Sequence, residues 1–290
     1  MKNWLEAARP FSLTAAIIPV LVGLALALSQ HHSFNLLNFV VVLAGGVLLQ
    51  VGTNMINDGY DYRRGVDTPL TPRASRVVID GRLPAATVIR GGLVVFAIAL
   101  VLGIILAIRV GSIILIPVVI GILLGWGYTA PPLEYKYRAL GIPVVFLTMG
   151  PLMTWASYLG NGGHAFWLPC LVALPVAFLV AAIMHANDLR DIDDDASARV
   201  RTISGAVGFP AARRLYDAML LLPYIVVLLA VLSGVISAFS LLAFLTLPFA
   251  WKNFNLARQS GRDHLATLDQ GTAKLHLLFG LLFAIGLVVL

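Results

Sequence analysis

The residues best able to do chemistry lie in two short acidic stretches of an otherwise apolar chain. The first reads NMINDGYDYRRGVDTP over residues 54–69 and places Asp58, Asp61 and Asp67 after a long apolar run. The second reads HANDLRDIDDD over residues 185–195. Asn54, Asn57, Asp58 and Asp61 fall at i, i+3, i+4 and i+7, offsets that share one face of a helix. Asp188, Asp191 and Asp195 fall at i, i+3 and i+7, again one face, with His185 a turn earlier. Asp193 and Asp194 point elsewhere and are assigned to solvent or to a supporting role. Unpaired carboxylates at close range repel and raise one another's pKa, and a divalent cation removes the conflict. Oxygen donors with room left for water and phosphate suit Mg²⁺ better than zinc, and the sequence has no Cys/His cluster of zinc spacing. Either cluster alone reads as solvated loop acid. Two matched clusters at helical spacing point instead to a diphosphate held between two Asp-bearing helix ends.

Basic residues supply the counterpart. Arg76 and Arg201 each closely follow an acidic stretch, and Lys136 and Arg138 lie in the segment YKYR. Guanidinium forks match phosphate oxygens bidentately, although most such residues near a membrane serve orientation and lipid contact. Tyr60, Tyr62, Trp126 and Tyr128 offer ring faces to a cation, or else belong to an interfacial aromatic belt. The remaining histidines, with Asp263 and Asp269, are assigned to loops and interfaces. Cys170 stands alone in an apolar run and can form no intramolecular disulfide.

The elements that position these residues are membrane helices. Of 290 residues 59% are hydrophobic and 12% charged, where a soluble domain carries about 25% charged residues. Nine apolar segments approach the roughly 20 residues a spanning helix needs: about 11–29, 36–57, 87–107, 111–130, 142–160, 165–187, 213–233, 235–251 and 272–290. The first is too long for a cleaved signal and is expected to be retained. Every Lys and Arg except Arg109 falls at the N-terminus or beside the loops after spans two, four, six and eight. The positive-inside rule places those loops and the N-terminus in the cytoplasm and the C-terminus outside. The net charge of +6 is therefore a one-sided basic skirt for anionic lipid and substrate, with no nucleic-acid partner implied. The expected fold is all-α: one integral membrane domain over 1–290, with nine transmembrane helices around a central cavity. Two four-span halves, about 11–130 and 142–251, precede a ninth span at 272–290, and each half carries its acidic cluster after its second span. Such a repeat also fits a transporter, but almost no charge lies within the spans, which favours chemistry at one membrane face. Oligomeric state is not encoded in any of these features.

At these residues the chain resembles the UbiA superfamily of intramembrane prenyltransferases, in which an Asn-Asp-x-x-Asp motif follows the second helix and an Asp-rich motif the sixth. Here they read Asn57-Asp58-Gly59-Tyr60-Asp61 and Asp188-Leu189-Arg190-Asp191-Ile192-Asp193-Asp194-Asp195. Within the superfamily the segments WLEAARPFSLTAAIIPVLVG, NDGYDYRRGVDT, YTAPPLEYKYRALGIP and NDLRDIDDD followed by RTISGAVG are most similar to the 1,4-dihydroxy-2-naphthoate polyprenyltransferases of menaquinone synthesis. The chain departs from that branch at Asp188, Ile142 and Arg199-Val200-Arg201-Thr202. Acceptors such as 4-hydroxybenzoate, homogentisate or a glycerol phosphate therefore stay open. The resemblance implies a Mg²⁺-dependent enzyme of a bacterial or archaeal-type cytoplasmic membrane, with its site on the cytoplasmic side. It implies that Asp58, Asp61, Asp191 and Asp195 hold Mg²⁺ and act in catalysis, and that Asn57 and Asp188 complete or orient the metal shell. It further implies that Asn54, Asn57, Tyr128, Asp188 and the basic Arg76, Lys136, Arg138 and Arg201 bind substrate. The substrates would be a polyprenyl diphosphate and a small aromatic acid.

Overall fold

The structure is a computed structural model that describes residues 2–69, 75–259 and 263–289. The described residues are helical with connecting turns, and their one β contact is an isolated parallel bridge between Arg138 and Arg201. A short α1 (Lys2–Ala7) precedes α2 (Thr14–Ser29) and α3 (Leu36–Arg64). Then come α4 (Arg76–Ile79), α5 (Ala85–Val110) and α6 (Leu115–Gly127). In the second half α7 (Gly141–Leu147) runs through a π-helical turn containing Pro151 into α8 (Met153–Gly160). There follow α9 (Trp167–Val172), α10 (Leu174–Arg190), α11 (Ile192–Ser197), α12 (Ile203–Val207) and α13 (Phe209–Leu232). A 3₁₀ stretch (Ala238–Thr246) leads into α14 (Leu247–Leu256), and α15 (Leu268–Val288) closes the chain.

Five of the expected spans are helices long and apolar enough to cross a membrane: 36–64, 85–110, 141–160, 209–232 and 265–288. The others fall on shorter or interrupted helices, and the interruptions have local causes. Pro175, at the start of α10, lacks an N–H and separates α9 from α10 after Ala173. Ser237 caps the 3₁₀ stretch through its side chain. Large apolar side chains such as Val94, Ile98, Val101, Ile105 and Ile108 on α5, and Leu221, Leu228, Leu229 and Leu232 on α13, face outward. So large an exposed apolar surface belongs against lipid rather than water.

α3 carries the first acidic cluster, and it runs beyond the expected end at 57 to Arg64. The Asn35 side chain caps its start by accepting from the Asn38 N–H. Gly65 ends it in the left-handed region at φ 71°, where a side chain would be strained. Twenty-nine residues rise about 44 Å, more than the roughly 30 Å of a bilayer's hydrocarbon core. The Asn-Asp end of α3 is thus regular helix projecting past the apolar layer, not loop. Its position is fixed by close packing on α5, where glycines let the backbones meet. A β-carbon at Gly59 would lie 2.3 Å from Ile89 Cγ1, and one at Gly52 2.5 Å from the Phe96 ring. α10 is held on its other sides by α13 and α15, within the largest buried apolar cluster.

Candidate active site

One cavity of about 1060 Å³ runs through the bundle, and residues of both acidic clusters line it. Asn54, Asn57 and Asp61 reach it from α3, and Asp188 and Asp191 from the end of α10. The helical spacing of the sequence therefore did bring polar stripes from two helices to face one space, with Asp61 the α3 carboxylate that reaches it. α10 breaks at Asp191, so Asp195 reaches the cavity from α11, still tied back by its N–H to the Asp191 carbonyl at 2.8 Å. Seven carboxylates and four basic side chains line the cavity: Asp61, Asp67, Asp188, Asp191, Asp194, Asp195 and Asp269 against Arg9, Lys136, Arg190 and Lys274.

Ion pairs organise this end. Lys136 donates to Asp61 Oδ2 at 2.5 Å and to Asn57 Oδ1 at 3.2 Å. The Tyr137 hydroxyl donates to Asp61 Oδ1 at 2.7 Å, so both Asp61 oxygens are held. Burial alone would lower the Lys136 ammonium, but Asp61 outweighs it and keeps Lys136 above its ordinary value. Burial, then Asp61, pushes the Tyr137 phenol upward, so it stays a donor. Arg190 grips Asp191 at 2.6 and 2.5 Å and Asp269 at 2.8 Å, joining α10 to α15. Asp67 and Asp195 are each pushed up to about 6, mainly by burial, with Asp61 and Asp191 as their respective largest repelling neighbours. The Asn54 amide donates to the Ala8 carbonyl at 3.0 Å and Ser12 Oγ at 2.9 Å, fixing the N-terminal segment over the cavity.

The structure corrects several expectations. Asp58 is buried but does not line the cavity, and its Oδ1 is held by Arg9. Arg76 is exposed and occupied by Asp80 at 2.8 Å and the Pro69 carbonyl at 3.2 Å. Arg138 and Arg201, whose segments are joined by the parallel bridge, are also exposed and outside the lining. Of the four basic candidates, Lys136 alone reaches the cavity. Asp194, expected to point away, lines the rim, and Asp269, expected at the surface, lines the wall and pairs with Arg190. Tyr60, Tyr62 and Trp126 lie outside, Tyr60 and Trp126 packing edge to face at 6.0 Å. Tyr128 lines the cavity beside Tyr135, with ring centroids 5.4 Å apart. The Lys136 ammonium stands 5.9 Å from the Tyr128 centroid.

His185 is fully buried with Nε2 2.7 Å from the Ala212 carbonyl, a link between α10 and α13 outside the lining. His276, expected at an interface, is fully buried in α15. The side chains of Asp263 and His264 lie outside the described residues. Arg9, Asp67 and Arg190 are the functional candidates that spacing did not single out. Arg9 lies far in sequence from both acidic clusters, Asp67 falls after the helix ends, and Arg190 sits off the acidic stripe.

Whether this end fits a metal follows from its donors. Among the described residues no three Asp, Glu, His or Cys side chains converge as a ready-made metal cage. The donors are oxygens only, carboxylates exceed basic groups by three, and space remains between the clusters. That combination suits Mg²⁺, which is commonly bound by one or two carboxylates with water and substrate phosphate completing the shell. Beyond this polar end the cavity is apolar, walled by Val42, Leu49, Leu102, Leu106, Ile114, Val118 and Met153.

A family model described as the UbiA prenyltransferase family matches residues 16–288. The chain is 32% identical to UbiA prenyltransferase domain-containing protein 1 of Xenopus tropicalis, over 99% of this chain and 82% of that protein. It is 28% identical to the 1,4-dihydroxy-2-naphthoate octaprenyltransferase of Bacillus subtilis (strain 168), over 97% and 90%. A solved UbiA homolog from Archaeoglobus fulgidus, bound to GPP and Mg²⁺, superposes with a TM-score of 0.71 at 16% identity, covering 97% of this chain and 99% of that one.

Proposed function

The chain belongs to the UbiA prenyltransferase family, and from that premise we propose that it transfers a polyprenyl group from a polyprenyl diphosphate to 1,4-dihydroxy-2-naphthoate, releasing diphosphate and CO₂ and giving demethylmenaquinol, the reduced form of demethylmenaquinone. The observation that carries the reading is the union of the two acidic clusters and Lys136 above one long apolar cavity. A diphosphate head needs the first and an isoprenoid tail the second. The name of the Bacillus subtilis relative supports the naphthoate acceptor, and the Archaeoglobus fulgidus homolog supports a prenyl diphosphate with Mg²⁺.

Asp61, Asp191 and Asp195 would hold Mg²⁺ directly, with Asn57 and Asp188 completing or orienting the shell. Asp58 would join them only on leaving Arg9. Bound there, Mg²⁺ would neutralise the diphosphate and stabilise charge on the departing oxygen. Lys136 is placed to bind a phosphate oxygen, at the cost of its bond to Asp61, while Tyr137 keeps the Asp61 carboxylate oriented. The C–O electrons leave with diphosphate, and the allylic cation left behind faces the Tyr128 and Tyr135 rings. The apolar wall excludes water that would otherwise capture it. The electron-rich acceptor ring forms the new C–C bond, and loss of CO₂ restores its aromaticity. In this reading the acidic end is cytoplasmic, nine helices cross the membrane with the N-terminus inside and the C-terminus outside, and the two halves frame the cavity.

The test is prenylation in liposomes with a polyprenyl diphosphate and separate aromatic acceptors, beside Asp61→Asn and Asp191→Asn. Mg²⁺-dependent product with 1,4-dihydroxy-2-naphthoate, lost in both variants, is expected. Product formed solely with 4-hydroxybenzoate or homogentisate would overturn the acceptor and keep the donor chemistry.

A further inference from the structure

The cavity follows one face of α3 almost from end to end. Its lining includes Val42, Gly45, Leu49, Thr53, Asn57 and Asp61, one residue each three or four positions. From Asp61 to Gly45 the helix rises about 24 Å, so Gly45 lies deep in the apolar part, far from the acidic end. Its surroundings differ from those of its neighbours. A β-carbon at Gly46 would meet Val20 Cγ2 at 3.3 Å, and one at Gly121 would meet Leu49 Cδ1 at the same distance. A β-carbon at Gly45 would meet nothing within 4 Å, and Gly45 lines the cavity, so any side chain there enters open passage. Beyond Gly45 the cavity continues to Val42, Leu106 and Ile114.

We propose that Gly45 is a specificity-determining residue for donor length. Its missing side chain keeps the deep end of the passage open, and the preferred donor is a polyprenyl diphosphate long enough for its tail to pass this point. The inference rests on the prenyl-transfer reading and refines it. A short donor such as geranyl diphosphate ends well before Gly45 and gains nothing from the deep end. A long donor buries further isoprene units there, and each buried methylene adds transfer free energy. A bulky side chain at Gly45 would therefore act on long donors alone. Gly45 also lies in mid-helix with φ in the ordinary helical range, so substitution carries no backbone strain.

The experiment compares kcat/KM for geranyl and octaprenyl diphosphate in wild type, Gly45→Ala, Gly45→Leu and Gly45→Phe, each reconstituted in liposomes. Wild type should favour octaprenyl diphosphate. Gly45→Phe should lower kcat/KM for octaprenyl diphosphate by about tenfold or more while leaving geranyl diphosphate within about twofold, with Gly45→Leu intermediate. Equal losses on both donors, or no loss on either, would overturn the proposal. If Gly45→Phe fails to fold by thermal melting, Gly45→Leu decides by the same criterion. A wild type inactive on both donors with every acceptor would overturn the prenyl-transfer reading itself, an outcome distinct from active variants that fail to discriminate.

Discussion

Lys136 shows what a single residue contributes here and how far sequence could foresee it. Its segment identified it as a phosphate candidate together with Arg138, two positions away. Which of the two reaches the cavity depends on the turn that begins at Glu134, whose φ is 47°. That turn aims Lys136 inward at Asp61 and Arg138 outward. Lys136→Met removes a phosphate-directed charge and leaves Asp61 without its ammonium partner. A lost charge-assisted contact to a leaving group costs on the order of 10²-fold in kcat. The expected outcome is a kcat reduced by about that factor, with Arg138→Met within about twofold of wild type, both read in the liposome assay. Equal effects would show that the exposed side chain moves into the site. The acidic residues were legible because helical spacing is local. Arg9 was not, because its partner Asp58 is 49 positions away and only packing joins them. A second expectation concerns pH. Asp67 and Asp195 have an ordinary value of 3.8 and sit at about 6 in the folded, metal-free protein. Folded values above unfolded ones mean that the folded state binds more protons in that window. The stability this confers is fully present below 3.8 and is lost as pH rises through about 6. The metal-free protein should therefore melt at a lower temperature at pH 7.5 than at pH 5, by a shift that Asp67→Asn reduces. Metal ligands must be deprotonated, so the Mg²⁺ concentration for half-maximal activity should rise as pH falls through about 6.

At the scale of elements, the site depends on how closely α3 lies on α5. Sequence placed both helices, and the structure extends the first through its acidic motif. Glycine permits the approach: Gly92 faces Ile56, Gly52 faces Phe96, and Gly59, inside the Asn-Asp motif, faces Ile89. Gly59 is therefore a packing residue in the midst of functional ones. Spacing could not reveal that role, because it depends on which helix lies opposite. Gly59→Val would drive its β-carbon into Ile89 and force α3 away from α5. Overpacking of this kind costs about 1–3 kcal/mol. Because α3 carries Asn57, Asp58 and Asp61, the shift should also lower kcat/KM. Thermal melting and the prenylation assay together check the expectation. A partial rescue by Gly59→Val combined with Ile89→Ala would trace both effects to this contact. Normal activity at reduced stability would place the tolerance for movement in the site itself. The segment after α3 extends the same logic. Gly65 reverses the chain so that the Val66 and Asp67 N–H groups bond to the Asp61 carbonyl at 2.9 and 3.3 Å. A residue outside the helical stripe thereby reaches the cavity wall, a return that helical periodicity had no means to express.

For the whole molecule, the arrangement of charge makes a testable prediction of which way the protein faces. Composition alone required a lipid-facing chain, and the distribution of Lys and Arg gave every basic loop one side. The structure adds that both acidic clusters lie at one end of a cavity whose apolar lining extends to Val42, Leu106 and Ile114. The depth and shape of that passage were not legible beforehand, because they arise from six or more helices meeting rather than from any one of them. A water-soluble diphosphate head and a lipid-soluble tail enter such a cavity from different media. The polar end must therefore open to the compartment that supplies the diphosphate. In the proposed reading, the positive-inside rule makes that compartment the cytoplasm, and this is the expectation to be tested. Cysteine labelling checks it directly, since Cys170 is the chain's one natural cysteine. In a Cys170→Ala background, Ser197→Cys would report the acidic end, where Ser197 is exposed beside Asp194. His164→Cys would report the opposite end, in the exposed turn after α8. A membrane-impermeant maleimide should label Ser197→Cys in inside-out vesicles and spare it in right-side-out vesicles, with His164→Cys showing the reverse. The same sidedness for both would contradict an odd number of crossings between them. The opposite pattern would turn the molecule over, and the donor's diphosphate would then have to arrive from outside the cell.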